Sequence, residues 1–376
     1  MNTLGISAPD TEAPEVMAEV HGHVGLITLN RAQALNALSL PMIRSLTNNL
    51  LAWRDDPQIL AVAIRGTSKT GPFGGFCAGG DVRFFHQAAL SEDPKLEDFF
   101  TEEYALNHLI HEYSKPYIAF MDGVVMGGGM GISQGASVRI VTERTKMAMP
   151  ETNIGLFPDV GGGYFLSRCA GSHGEWLALT GEVIGAAQAL SLGLADVYFD
   201  SSRLASAWSA LASTDFRRPG AMDQWLALFS KPEPEYLNRA GSRIDKYFAL
   251  SSVSDIVKAL DTDGSEWAGH TAAALGRRSP LMLHVVLEQI RRARDMTLAD
   301  DLRMERDMVQ HCFYTRHLNR SGATSETVEG IRAFAVDKDQ TPKWNPARIE
   351  DVTEGMVAPF FVSPWTPQTH PLRDLS

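Results

Sequence analysis

Two strand-like runs each lead into a glycine-rich turn, and this repetition constrains the fold of the 376-residue chain more than any other feature. The first run, Ile59 to Gly66, precedes the turn Gly74 to Asp81, and the second, Tyr117 to Val125, precedes Met126 to Gly131. Glycine lets a backbone approach a ligand closely, so each turn can direct an N–H group outward. One such turn alone would be explained by tight packing, but two donors converging on one point would form an oxyanion hole.

Two carboxylates, Glu151 and Asp159, follow in an otherwise apolar and glycine-rich segment, Met149 to Gly163. Neighbours such as Ile154 and Phe157 would desolvate these acids and raise the pKa of either toward neutrality, which a general acid or base requires. A single acid in a loop more often caps a helix or turn. The pair, together with the two glycine turns, favours a catalytic site.

The order of these motifs resembles that of the enoyl-CoA hydratase/isomerase (crotonase) superfamily. The resemblance runs from about Glu19 to Ile349 and includes Asn30 to Ser39, which is similar to the first CoA-binding loop of that superfamily. It implies an α/β fold with a crotonase-like ββα spiral core and a mainly helical C-terminal region. It also implies an acyl-CoA substrate whose thioester oxygen is held by two backbone N–H groups.

The chain departs from the hydratase motif at two positions. Hydratases carry a glutamate two positions after the glycine triplet, where this chain has Gly131, and a glycine where it has Asp159. Gly131 cannot exchange a proton, so hydration by two glutamates is disfavoured. The departures resemble the branch of the superfamily that hydrolyses 3-hydroxyisobutyryl-CoA in valine breakdown, as do Phe99 to Tyr104 and Ala335 to Pro346.

The resemblance also implies where the substrate binds. The backbone N–H groups of Gly80 and Gly128 would form the oxyanion hole, and Ala78 would contact the CoA. CoA is part of the substrate, and neither a metal ion nor another cofactor is expected. Four arginines are candidates to meet the CoA phosphates, none of them assigned: Arg31, Arg83, Arg277 and Arg278.

Three acids have roles implied by the resemblance. Glu151 would act as base or nucleophile, with Asp159 as its proton-transfer and orienting partner, although the two roles could be reversed. Direct attack that forms a mixed anhydride and activation of a water both remain open. Glu103 would contact the hydroxyl of a 3-hydroxyacyl group. The alternative is a surface acid of a helix, since Glu102 is its neighbour and only one of the two can face inward.

Other chemical signals are weaker. Ser133 lies in a G-x-S-x-G sequence that fits the nucleophile elbow of α/β-hydrolases. An elbow needs its serine at the strand-to-helix turn, which Gly127 to Gly129 already make, so Ser133 is expected to pack inside a helix. Three scattered cysteines make no disulfide framework. Four histidines lack further metal ligands nearby in the sequence: His21, His23, His108 and His111.

Charge and apolar content limit the partners. A net charge of −11 argues against nucleic acid or an anionic membrane, and no apolar run approaches the length of a membrane span. Met1 to Val16 resembles neither a secretory signal nor a transit peptide, which predicts a cytoplasmic location. A homo-oligomer is compatible with the resemblance, because crotonases commonly form trimers and hexamers.

The chain divides into four predicted segments. They are a flexible N-terminal tail (1–15), a crotonase-like acyl-CoA-binding core (16–200), a helical C-terminal region (201–350) and a C-terminal tail (351–376). Strands are expected at Val24 to Leu29, Leu60 to Ile64, Tyr117 to Phe120 and Val138 to Val141. Helices are expected from Ser279-Pro280, at Ala299 to Cys312 and at Ser325 to Ala335.

The sequence therefore predicts an acyl-CoA thioester hydrolase acting on 3-hydroxyisobutyryl-CoA. One alternative is an enoyl-CoA isomerase or hydratase that keeps the fold and Glu151, and free-thiol release separates it from a hydrolase. The other alternative is a non-catalytic acyl-CoA-binding protein. Binding without turnover, unchanged when Glu151 and Asp159 become alanine, would support that second alternative.

Overall fold

The computed structural model describes residues 13–232 and 241–376, and all elements given below lie in those ranges. The strands are Val16–His21 (β1), Val24–Leu29 (β2), Ala61–Gly66 (β3), Tyr117–Met121 (β4), Val124–Met126 (β5), Val138–Val141 (β6), Lys146–Ala148 (β7) and Val197–Tyr198 (β8). The helices are Leu40–Asp55 (α1), Val82–Ser91 (α2), Lys95–His111 (α3), Gly128–Gln134 (α4), Gly162–Leu166 (α5), His173–Thr180 (α6), Ala186–Ser191 (α7), Leu204–Leu211 (α8), Ala221–Phe229 (α9), Gly241–Phe248 (α10), Val253–Asp263 (α11), Glu266–Leu275 (α12), Pro280–Ala293 (α13), Leu298–Phe313 (α14), Glu326–Ile331 (α15) and Glu354–Val357 (α16).

A six-stranded sheet forms the centre of the first half, in the spatial order β1-β2-β3-β4-β6-β8. β1 pairs with β2 antiparallel, and every later pair is parallel. Parallel neighbours need crossover connections, which α1 supplies between β2 and β3, and α2 and α3 supply between β3 and β4. Both β2 and β4 are buried along their whole length, as expected for strands covered on both faces.

A second, two-stranded sheet pairs β5 with β7 and brings the glycine turns together. Cys77 of the first turn lies beside β5: its N–H donates to Val124 O at 2.9 Å, and Met126 N–H donates to Cys77 O at 3.0 Å. Because β5 leads directly into the second glycine turn, the ends of both turns lie at one place in the fold.

The second half of the chain is mainly helical, as predicted. α13 begins where expected, since the Ser279 hydroxyl accepts a hydrogen bond from Met282 N at 3.1 Å and Pro280 occupies the first turn. α14 extends one residue beyond its predicted range at each end. The helix predicted at Ser325 to Ala335 divides into α15 and a π-helical turn, Arg332–Val336.

One hydrophobic core joins the two halves of the chain. It contains Ile27 and Leu29 of β2 together with Leu283 and Val286 of α13. A smaller cluster, which includes Val24, covers the other face of the sheet because side chains alternate along a strand. The predicted division into a core and a helical region near residue 200 remains a prediction.

Both ends of the described chain pack on the rest of the fold. Glu15 pairs with Arg31 at 2.9 Å and accepts a hydrogen bond from the Ser39 hydroxyl at 2.8 Å. Near the other end, Arg303 Nε of α14 donates to the carbonyl of Leu372, whose side chain is buried. The boundaries 1–15 and 351–376 also remain predictions. None of the helices in the described ranges is both long and apolar enough to cross a bilayer.

Candidate active site

The two glycine turns lie against each other. Gly79 has a φ of +107°, and a Cβ built on it would lie 3.7 Å from the backbone nitrogen of Gly128. Gly127, with a φ of +47°, also occupies the left-handed region that favours glycine. The glycines predicted to allow close approach therefore do so to each other.

Gly80 and Gly128 each present an N–H group without a partner in the part of the chain that the structure describes. Leu38 makes both hydrogen bonds of a parallel bridge, donating to Gly79 O at 2.8 Å and accepting from Asp81 N at 3.0 Å, so Gly80 N–H points away from it. Gly128 is the first residue of α4, where an N–H has no acceptor inside the helix. Neither N–H group finds an acceptor elsewhere among the described residues.

Three buried acids line one cavity of about 340 Å³ next to these turns. Glu103 comes from α3, Glu151 from the short 3-10 helix Glu151–Ile154, and Asp159 from the loop before α5. Their exposed fractions are 2%, 7% and 5%. Gly79, Gly80 and Ala78 also line the cavity, so the structure brings together the predicted acids, the first glycine turn and the predicted CoA contact.

The acids press directly on the second glycine turn. A Cβ on Gly127 would lie 2.7 Å from Glu151 Oε1, and a Cβ on Gly128 would lie 2.5 Å from Glu103 Oε1. Glu103 is thus the inward-facing member of its pair, whereas Glu102 is partly exposed and pairs with Arg44 at 2.6 Å. Any side chain at Gly127 or Gly128 would displace a carboxyl group from the cavity.

Burial controls the protonation of the three acids. It raises the pKa of Glu151 well above its usual value, and the nearby charge of Asp159 raises it further. Burial is also the main reason why the pKa of Glu103 is raised, followed by the charges of Asp159 and Glu151. Burial raises the pKa of Asp159 to about 6, opposed by a hydrogen bond from Tyr104. Each of the three acids therefore holds its proton to a higher pH than a solvent-exposed carboxyl does.

The role of Tyr104 was not predicted from the sequence. Its phenolic hydroxyl donates to Asp159 Oδ2 at 2.8 Å, and the side chain is fully buried. Glu103 Oε1 and Glu151 Oε2, by contrast, are buried without a hydrogen-bond partner in the described part of the chain. Unpaired buried oxygens are costly, and their presence in a cavity is typical of a ligand site.

The candidate arginines are mostly engaged elsewhere. Arg31 pairs with Asp81 at 2.8 Å, and Arg83 Nε donates to the carbonyl of Ala335 at 3.2 Å. Arg278 donates to Thr180 O and to the side-chain oxygen of Asn153, a residue that lines the cavity. These contacts assign none of them to a CoA phosphate. They do show Arg278 supporting the wall of the cavity through Asn153.

Two competing nucleophiles do not fit this geometry. Ser133 is fully buried in α4, and its hydroxyl donates to Gly129 O at 2.8 Å, which agrees with a packing role and not with an elbow. Burial raises the pKa of the Cys77 thiol to about 12, so it carries no thiolate at neutral pH. Among residues 13–232 and 241–376, no group of three or more His, Cys, Asp and Glu side chains is arranged to hold a metal ion.

Comparison with known proteins defines the class. Residues 24–361 match the family model described as enoyl-CoA hydratase/isomerase, and the chain belongs to this family. Similar curated relatives are mitochondrial 3-hydroxyisobutyryl-CoA hydrolases. That of Gallus gallus is 38% identical over 93% of this chain and 89% of the relative. The Danio rerio protein is 39% identical over 93% of this chain and 90% of the relative. The Homo sapiens protein is 36% identical over 94% of this chain and 90% of the relative.

Two solved structures share the fold over most of this chain. A carnitinyl-CoA dehydratase from Mycobacterium thermoresistibile is 37% identical with a TM-score of 0.84, covering 93% of this chain and 97% of its own. An enoyl-CoA hydratase from Rhodobacter sphaeroides 2.4.1 is 31% identical with a TM-score of 0.83, covering 93% and 98%. The predicted crotonase-like core with a helical C-terminal region is confirmed.

The cytoplasmic location predicted from Met1 to Val16 is contradicted by these relatives, which are mitochondrial proteins. The prediction was wrong because it relied on the composition of a short terminal segment. Sorting signals are read and often removed separately from the folded enzyme, so such a segment is a poor guide to where the enzyme works. Residues 1–12 also lie outside the described residues.

Proposed function

We propose that this protein hydrolyses 3-hydroxyisobutyryl-CoA to 3-hydroxyisobutyrate and CoA, a step of valine catabolism. The observation that carries the proposal is the burial of Glu151 and Asp159 in one cavity beside the N–H group of Gly80, which has no partner among residues 13–232 and 241–376. Relatives named for this reaction, 36–39% identical over most of their length, support the same substrate. CoA enters only as part of the substrate, and the proposed chemistry draws on carboxyl and backbone N–H groups.

The N–H groups of Gly80 and Gly128 would hold the thioester oxygen. When a nucleophile adds to the carbonyl carbon, that oxygen becomes negatively charged, and two aimed donors stabilise it. Each such donor is worth about 3 kcal/mol of barrier in acyl transfer. The position of Gly79 beside Gly128, whose nitrogen would lie 3.7 Å from a Cβ built on Gly79, supports a common focus for the two donors.

Glu151 would deliver the attack by one of two routes. As a base it takes a proton from water, the hydroxide adds to the carbonyl carbon, and the C–S bond breaks as the CoA sulfur takes up a proton. As a nucleophile its oxygen forms a mixed anhydride with loss of the thiolate, and water then hydrolyses the anhydride. Asp159 would carry the proton in either route, and its pKa of about 6 suits that exchange.

Glu103 would recognise the substrate hydroxyl. Its carboxyl faces the cavity, and Oε1 has no partner in the described structure, so this oxygen can accept a hydrogen bond from the substrate hydroxyl. Ala78, at the same cavity, would contact the CoA. A homo-oligomer remains a prediction.

Thiol release tests the proposal. On mixing with 3-hydroxyisobutyryl-CoA the protein should liberate one free thiol per substrate, measured with a thiol-reactive dye, while crotonyl-CoA keeps its enoyl absorbance. Loss of enoyl absorbance without thiol release would favour the hydratase alternative, which the names of the similar solved structures keep in view. Binding of the thioester without either change would favour a non-catalytic protein.

A further inference from the structure

The backbone around Asp159 is held in an unfavourable conformation. Val160, the next residue, has a φ of +57°, and Gly161 has a φ of +86°. A β-branched side chain is a genuine outlier in this left-handed region. Such strain persists only where surrounding groups hold the chain in place. The groups that hold this loop therefore also determine where the Asp159 side chain points.

Glu305 of α14 holds the loop on the C-terminal side of Asp159. Its Oε2 accepts the N–H of Gly161 at 2.7 Å, and its Oε1 accepts the N–H of Gly163 at 3.0 Å. The side chain is completely buried. Two backbone donors at one carboxylate form a rigid, two-point contact.

Gln289 of α13 holds the N-terminal side. Its Nε2 donates to Pro158 O at 2.7 Å and to Glu305 Oε1 at 3.2 Å. Asp159 thus lies between two anchored peptide groups, and both anchors belong to helices that follow it by more than a hundred residues. Tyr164, which follows Gly163 in α5, is also held by an acid of α14, since Asp301 accepts its N–H at 2.8 Å.

A buried carboxyl is an expensive way to hold a loop. Burial raises the pKa of Glu305 well above its usual value, and the neighbouring charge of Asp301 raises it further. Apolar packing would stabilise the fold at lower cost, so retention of the acid points to a geometric task. The Asp159 carboxyl that this loop presents reaches both the Tyr104 hydroxyl and the cavity.

We propose that Glu305 is a positioning residue that, together with Gln289, fixes the strained loop so that the Asp159 carboxyl faces the reacting thioester. This inference rests on the proposed role of Asp159 in hydrolysis. In this way helices α13 and α14 of the C-terminal half determine the geometry of the active site. Glu305 itself does not line the cavity and contacts no reacting atom.

Kinetics of E305Q test the inference. Glutamine keeps the size of the side chain but only one acceptor oxygen, so one loop N–H loses its partner. We expect kcat for thioester hydrolysis to fall about 10- to 100-fold with KM changed less than about threefold, as for a misplaced catalytic group. In a D159N background the same substitution should lower the remaining rate less than about twofold, because Glu305 acts through Asp159.

D307N is the matched control. Asp307 lies on the same helix and contacts Ser363 at 2.7 Å and His370 at 3.3 Å instead of the loop. We expect its kcat to stay within about twofold of the parent, because Asp307 contacts neither the loop around Asp159 nor the cavity. If E305Q fails to fold, Q289M takes its place, because it removes the contact to Pro158 O and is judged by the same criteria.

Amide hydrogen exchange separates this inference from the proposed function. The peptide that spans Gly161 and Gly163 should exchange at least about tenfold faster in E305Q than in D307N, whatever reaction the protein catalyses. Unchanged exchange, or an equal fold-loss of kcat with and without Asp159, would overturn the positioning role. Absence of hydrolysis in the parent protein together with faster exchange would overturn only the proposed function.

Discussion

A Cβ built on Gly131 would lie 2.6 Å from the Cβ of Val160. Val160 therefore fills the space that a side chain at position 131 would need. Asp159 stands directly before Val160 in the chain. The loop that carries Asp159 thus packs against Gly131 and leaves no room for a side chain there.

Gly131→Ala should destabilise the protein. The added methyl overlaps Val160 and lies 2.9 Å from Asn107 Nδ2, so the strained loop must shift. We expect a loss of about 1–3 kcal/mol in the free energy of unfolding, measured with urea. Gly269→Ala on α12 is the control, because a Cβ there meets nothing within 4 Å and helix propensity favours alanine by about 1 kcal/mol. Equal stability of the two variants would contradict this packing.

Asp159→Asn should change the pH profile as well as the rate. The charge of Asp159 is one reason why the pKa of Glu151 is raised, so its removal lowers that pKa. The acid limb of kcat, which reports ionisation of Glu151, should then move to lower pH while kcat falls about 100-fold or more. Stopped assays between pH 5 and 9 measure both effects. If the acid limb moved to higher pH instead, it would report the ionisation of a group other than Glu151.

Glu103→Gln should reduce discrimination for the substrate hydroxyl. We expect kcat/KM for 3-hydroxyisobutyryl-CoA to fall about 10- to 100-fold, the value of one hydrogen bond to an ionisable group, with little change for isobutyryl-CoA. Glu102→Gln is the matched control, since its partner is Arg44 on the surface. An equal loss for both substrates would show that Glu103 does not contact the hydroxyl.

Glu103→Gln should also stabilise the fold at neutral and alkaline pH. Because the pKa of Glu103 is raised in the folded state, the folded protein binds a proton that the unfolded chain has released. This contribution to stability is complete below the unfolded pKa of about 4.3 and is lost as the pH rises through the folded pKa. At pH 8 the free energy of unfolding, measured with urea, should be higher for Glu103→Gln than for the parent by on the order of 1 kcal/mol, and near pH 4 the two should be equal. A less stable variant at pH 8 would contradict the electrostatic account.

Local signals explain what could be predicted from the sequence. Ser279 followed by Pro280 predicts the start of a helix from two adjacent residues alone, and α13 begins there. The glycine turns and the pair Glu151 and Asp159 stand out because charge and glycine are unusual among apolar residues. The structure places these groups together at one cavity.

Contacts between distant elements explain what was missed. In the sequence, Glu305 resembles a surface acid of a polar helix. Its contact with Gly161 could not be predicted, because the two residues lie 144 positions apart in the chain. A signal was present, since Glu305 shares helical spacing with the buried residues Met308 and Cys312. Tyr104 was equally hidden, because nothing in its own segment indicates that its hydroxyl meets Asp159.

The most direct test of the central claim is the rate of CoA release from 3-hydroxyisobutyryl-CoA by the parent protein, by Glu151→Gln and by Glu102→Gln under the same conditions. The account predicts steady thiol release by the parent and by Glu102→Gln, and a loss of about 1,000-fold or more in Glu151→Gln, whose side chain can neither take a proton nor form an anhydride. A folded Glu151→Gln variant that releases CoA as fast as the parent would contradict it.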